Sequence, residues 1–208
     1  MKVTKQDIAS LLSGFSIEVT PASAQNIDSF ANHLPLNTSI NVTFLPGSNI
    51  DDTVNVSYRL HQEGFKPVPH LAARNFVNQK SLEQCLEQLT TIANVEEVLV
   101  IGGGLNAALG PYHSTLQILD SGLLEKYSIK KVGVAGHPEG SPDIPDLELA
   151  QALQDKNSWA RNSDVKVYIA TQFCFDASKI IDWENRINKS GNTLPIHIGL
   201  PGLASLKT

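Results

Sequence analysis

Residues 80–104 read KSLEQCLEQLTTIANVEEVLVIGGG, and this stretch decides the fold. Leu82, Leu86 and Leu89 recur at the spacing of one helix face, with Glu83, Gln84 and Glu87 opposite them, which predicts an amphipathic helix over 80–92. A short apolar run rich in valine then predicts a strand over 97–101, ending in Gly102, Gly103 and Gly104. The two together make one helix-then-strand beat of an α/β chain.

The same beat recurs on both sides. Further short apolar, β-branched runs predict strands over 15–19, 40–44, 66–69, 131–135, 166–170 and 195–198. Longer amphipathic stretches at 24–34, 51–62, 147–159 and 178–189 predict helices between them, the last capped by Asp176 or Ser178. Strands that alternate with helices run parallel and need crossover connections. A doubly wound sheet usually carries a glycine-rich turn after its first strand, whereas here that strand ends in Glu18-Val19-Thr20-Pro21. Polar or glycine residues end nearly every predicted strand, the pattern of a (β/α)8 TIM-type barrel with its site at the strand C-termini. The expected domain is a single barrel over 1–208 that shows only seven strands and lacks the eighth strand–helix unit. Such a barrel would leave two strand edges open to pairing.

The chain has 208 residues, 41% apolar and 18% charged, with a net charge of −5. That length buries a sizeable core without a disulfide or metal staple. The negative charge argues against a nucleic-acid partner. Cys85 and Cys174 form no CxxC pair, and the six histidines show no metal-ligand spacing, so no metal site is expected. The N-terminal MKVTKQDIASLLSGFS lacks a signal-peptide core, and no apolar run reaches the roughly 20 residues of a membrane span. A cytoplasmic homo-oligomer with no membrane partner is the expectation.

Several residues at the predicted strand ends carry chemistry. A carboxylate such as Glu18 at a partly desolvated mouth suits a general acid, against the plainer reading of a solvated strand-end charge. His70 follows Pro67-Val68-Pro69 and suits a hydrogen bond to a ligand, or a structural bond to backbone. The run Gly102-Gly103-Gly104 lets backbone approach a flat ligand or phosphate, although GGGLNAALG lacks the dinucleotide spacing and also suits a flexible loop. Gln172 can donate and accept, as reading the edge of a heterocycle requires.

Taken in order, these segments resemble the methylenetetrahydrofolate reductases. SIEVTP, VTFLPGS, VPHLAAR, VAGHPEGSP, the stretch 153–156, ATQFCFD and PIHIGLPG are each similar to a segment of that family, and VAGHPEG and TQFCFD are the most specific. The resemblance implies reduction of 5,10-methylenetetrahydrofolate to 5-methyltetrahydrofolate, with NADH or NADPH as hydride donor and FAD as carrier. It makes Glu18 the general acid, and Gln172 with Phe173 the folate contacts. It places Thr43, His70, Gly102, Gly103, Gly104, Ala135, His137 and Lys156 at the flavin. The chain departs from the family at Ile101-Gly102-Gly103-Gly104, where the family has Leu-Arg-Gly-Asp, and at His137, where it has tyrosine. These changes imply weak FAD binding. They leave open a flavin-free folate methyl-transfer barrel, or a non-catalytic paralogue that binds folate or a partner.

Overall fold

The structure is a computed structural model that describes residues 3–45 and 47–202. Its centre is a parallel seven-stranded sheet of β1 (Ser16–Val19), β2 (Ser39–Val42), β3 (Lys66–Ala72), β4 (Glu97–Ile101), β5 (Lys131–Gly136), β6 (Lys166–Phe173) and β7 (Ile196–Gly199). The strands lie side by side in chain order. The order never reverses, so there is no doubly wound switch point. Among the described residues β1 and β7 pair on one side only, so the sheet curls without closing. An eighth strand is not present among these residues, and 203–208 lie outside them.

The helices are α1 (Lys5–Leu11), α2 (Pro21–Ala24), α3 (Ile50–Gln62), α4 (Gln79–Ala93), α5 (Thr115–Leu119), α6 (Leu123–Lys126), α7 (Asp146–Arg161) and α8 (Ala177–Lys189). The expected helix over 24–34 does not form. The single turn of α2, capped by Thr20, stops at Ala24, and a 3-10 turn follows at Phe30–Asn32. Arg59 of α3 explains the break, because its guanidinium donates to the carbonyls of Ala24, Ile27 and Asp28. The Ala24 oxygen also accepts the Ile27 N–H at 3.2 Å, so the chain leaves α2 in a tight turn that the guanidinium holds. Two short helices, α5 and α6, also went unpredicted between β4 and β5; neither is long enough to show an apolar period.

Strand alternation sorts the sheet into two faces. Val98, Val100, Val132, Val134, Val167 and Ile169 join the larger apolar core with Leu82, Leu86 and Leu89 of α4. Ile40 and Val42 join a smaller core with Val56 and Leu60 of α3. The alternate residues line the concave face. There Gly133 lies between Leu99 and Tyr168, and a Cβ on it would stand 2.7 Å from atoms of each. Lower on the same face Lys131 pairs with Glu97 at 3.0 Å, and the ring of His197 lies 4.3 Å from that of Tyr168.

β3 is longer than its sequence suggests. Pro67 and Pro69 lack the N–H that a central strand normally donates. The strand meets this by changing partner: its register with β2 ends at Pro69, and its register with β4 begins at His70. His70 is thereby held inside the sheet rather than at its end.

Candidate functional site

The C-terminal half of the sheet gathers the residues that sequence reading singled out. His70 is 5% exposed, and its Nε2 has no hydrogen-bond partner among the described residues. The nearest carboxylate is Glu18, whose Oε2 lies 3.8 Å away, too far for a hydrogen bond. Thr43 follows β2 directly and is anchored by its N–H on the Val19 carbonyl at 2.9 Å. Its Oγ1 is also buried without a partner among the described residues. Leaving such an atom unpaired costs about 1–3 kcal/mol. Two of them on neighbouring strands, beside Glu18, give a ligand something to bond.

Glu18 follows the plainer of its two readings, a solvated strand-end charge, and not that of a partly desolvated mouth. Its side chain is 59% exposed, so the chain does not desolvate it. The reason is that β1 is an edge strand, which leaves one flank of the carboxylate open. Burial instead falls on His70 and pushes its imidazole down from the usual range, against the opposing pull of Glu18. The imidazole is neutral at neutral pH.

A second group lies at the end of β5. Lys156 of α7 is 7% exposed, and its Nζ donates to the Ala135 carbonyl at 3.1 Å. Burial pushes this ammonium down to about 8. Burial also lowers the half-buried His137, and the Lys156 charge lowers it further. An ammonium has three donors, so one bond to a carbonyl leaves Lys156 able to meet an anionic group.

The glycine run closes a seam between strand ends. Gly103 has φ +92°, and a Cβ there would lie 3.1 Å from the Ala72 Cβ and 3.2 Å from the Asn75 Oδ1. The Gly102 carbonyl accepts from the Arg74 N–H at 3.0 Å. The Arg74 guanidinium donates to the carbonyls of Leu105 and His113, tying down the loop that follows. A Cβ at Gly102 would meet nothing within 4 Å, and Gly104 is exposed.

Gln172 and Phe173 are the last residues of β6, and both are exposed. The structure brings Glu18 to His70 and Lys156 to Ala135 and His137, but among the described residues Gln172 makes no side-chain hydrogen bond to either group. Sequence reading missed two residues here. Phe175 stacks edge-on against Phe173 with ring centroids 5.7 Å apart. Glu139, of the HPEG turn, accepts the backbone N–H groups of Phe175 at 3.0 Å and Asp176 at 2.9 Å. Both lie within the two most specific motifs, but no spacing rule joins a loop carboxylate to backbone 36 residues away.

Two cavities lie elsewhere. One of about 410 Å³ opens at the N-terminal ends of β5 to β7, against Lys131, Lys166 and His197. The other, about 560 Å³, lies between α3 and α4. Among the described residues no three His, Cys, Asp or Glu side chains gather into a metal-holding group, and no helix is long and apolar enough to cross a membrane. The chain matches no protein-family model.

Proposed function

We propose that this chain is a folate-dependent one-carbon enzyme of the methylenetetrahydrofolate reductase type, built on a (β/α)8 barrel. It would reduce 5,10-methylenetetrahydrofolate to 5-methyltetrahydrofolate with NADH or NADPH. The observation that carries this reading is the pair of orphaned atoms, Thr43 Oγ1 and His70 Nε2, beside Glu18. The motif resemblance assigns the same three residues to cofactor and acid.

The residues present fit a flavin at three of these positions. Thr43 and His70 offer free polar atoms, and Lys156 offers a buried ammonium suited to a phosphate. Ala135 and His137 would lie beside it, with the glycine turn at Gly102–Gly104 as the neighbouring wall. FAD, when bound, would supply hydride relay from the pyridine nucleotide. Glu18 would deliver a proton to the folate nitrogen as the five-membered ring opens. Its open flank gives that proton a route from solvent. Gln172 would hold the pterin edge, and Phe173 would pack on the ring system.

The absence of any charged side chain at Gly102 and Gly104 favours a second reading, a folate-binding barrel that works without flavin. One experiment separates them. Purified protein is assayed for NAD(P)H oxidation that depends on methylenetetrahydrofolate, with and without added FAD. Turnover that requires FAD supports the reductase, whereas folate binding without turnover supports the second reading. Failure to bind folate overturns both.

A further inference from the structure

The turn between β6 and α8 is pinned from two sides. From below, Cys174 is 4% exposed, its N–H donates to the Gly199 carbonyl at 3.0 Å, and its thiol donates to the Gln172 carbonyl at 3.0 Å. From the side, Glu139 takes the N–H groups of Phe175 and Asp176 on a single carboxylate oxygen. Asp176 in turn caps α8, accepting from the Ser178 N–H at 2.9 Å. Between these pins stand Phe173 and Phe175, 55% and 75% exposed. Two large aromatic side chains so open to water and so firmly held are unusual unless something covers them. A charge-assisted bond from a carboxylate to backbone N–H is stronger than a neutral one, which makes Glu139 the main lateral restraint on the turn.

We infer that Glu139 is a positioning residue: it fixes the β6–α8 turn so that Phe173 and Phe175 stand as a paired aromatic wall beside Gln172, against which an aromatic ring of the ligand packs. The ligand half of this inference rests on the folate reading, because a folate carries an aryl ring beyond its heterocycle. The positioning half does not. Glu139 touches no reacting atom and acts only through the backbone it holds. Its oxygen accepts two bonds, so an amide oxygen in the same place keeps much of the geometry, whereas a methyl group keeps none.

The test uses the full chain and three variants, Glu139→Ala, Glu139→Gln and Phe175→Leu. Amide hydrogen exchange at residues 175 and 176 reads the turn, and titration with 5-methyltetrahydrofolate reads the wall. Glu139→Ala should speed exchange at both amides by roughly tenfold, while leaving exchange in β4 and β5 unchanged. Glu139→Gln should restore most of the protection. Glu139→Ala and Phe175→Leu should each weaken 5-methyltetrahydrofolate binding by roughly tenfold. Unchanged exchange in Glu139→Ala overturns the positioning role. Faster exchange with unchanged affinity overturns the aromatic wall. If the parent binds no 5-methyltetrahydrofolate while exchange still responds, the folate reading and the wall fail and Glu139 keeps its role.

Discussion

The imidazole of His70 and the carboxylate of Glu18 stand 3.8 Å apart although their strands do not pair, because β2 lies between them. In the register Glu18 lies beside Asn41 of β2, which lies beside Val68 of β3, two residues before His70. The contact is asymmetric: His70 is buried and Glu18 is open.

That asymmetry sets a pH dependence. Burial holds the folded imidazole below its ordinary 6.5. The unfolded chain then binds a proton on this group before the folded one does, so stability is present above pH 6.5 and is lost as pH falls through the folded value. His137 and His197 are shifted in the same direction, by burial first. Denaturation midpoints should fall as the medium is acidified below about pH 6.5. In His70→Gln that slope should be shallower. Equal slopes in parent and variant would show that His70 does not carry the effect.

Glu18→Gln should lower methylenetetrahydrofolate-dependent NAD(P)H oxidation by about 10²–10⁴ while sparing folate affinity. The open flank of Glu18 allows glutamine without a clash, so the fold should be unaffected. Single-turnover rates together with a folate titration separate loss of the proton donor from loss of binding. Parent-like turnover would remove Glu18 from the reaction.

Lys156 costs the fold something at neutral pH. A displacement from 10.5 to about 8 corresponds to roughly 3–4 kcal/mol at most, and this cost is present below that range, where the ammonium is forced to stay charged. Lys156→Met should therefore raise the thermal midpoint or leave it unchanged. It should also weaken FAD binding by roughly tenfold if the ammonium meets a phosphate. A lower midpoint would mean that the bond to the Ala135 carbonyl outweighs the burial of charge.

The glycine turn offers a gain-of-function test. Gly102 has open space where a side chain would begin. Gly102→Arg with Gly104→Asp restores a charged pair at the wall without disturbing the close approach at Gly103. Titration followed by flavin fluorescence should show weak FAD binding in the parent and tighter binding in the double variant. Stoichiometric, firmly held FAD in the parent would contradict the reading of Gly104.

Gly133 is a packing requirement. Any side chain there meets Leu99 and Tyr168 at 2.7 Å. Gly133→Ala should destabilise the protein by about 1–3 kcal/mol, as overpacking does, read as a lower denaturation midpoint. A midpoint within error of the parent would show that Tyr168 can swing away.

Much of this was legible in the sequence, for definite reasons. The valine-rich runs 97–101 and 131–135 mark strands, and the structure has β4 and β5 there. The helix over 80–92 lies within α4 because three leucines fix its face. Legibility failed where a tertiary contact decided the local structure. Nothing near residue 24 reveals that Arg59 will bond its carbonyl, and the helix read over 24–34 does not form. The strand-end position of Glu18 and the alternative of a solvated charge were both visible, but choosing between them depends on which strands lie at the edge. The role of Glu139 was invisible because its partners are backbone atoms, which leave no mark on composition.

The strict correspondence between chain order and sheet order has a kinetic meaning. Each strand finds its partner one crossover away, so no pairing waits for a distant part of the chain. Assembly can proceed as a zipper, each new strand docking on a surface already made, and during synthesis this can happen in the order in which residues emerge. The reverse also holds. Unfolding should start at an edge, and β7 is one: it is four residues long, with His197 and Ile198 exposed, and among the described residues it pairs only with β6. Proteolytic nicking and native-state exchange should therefore run inward from that edge, with β4 and β5 the last to open.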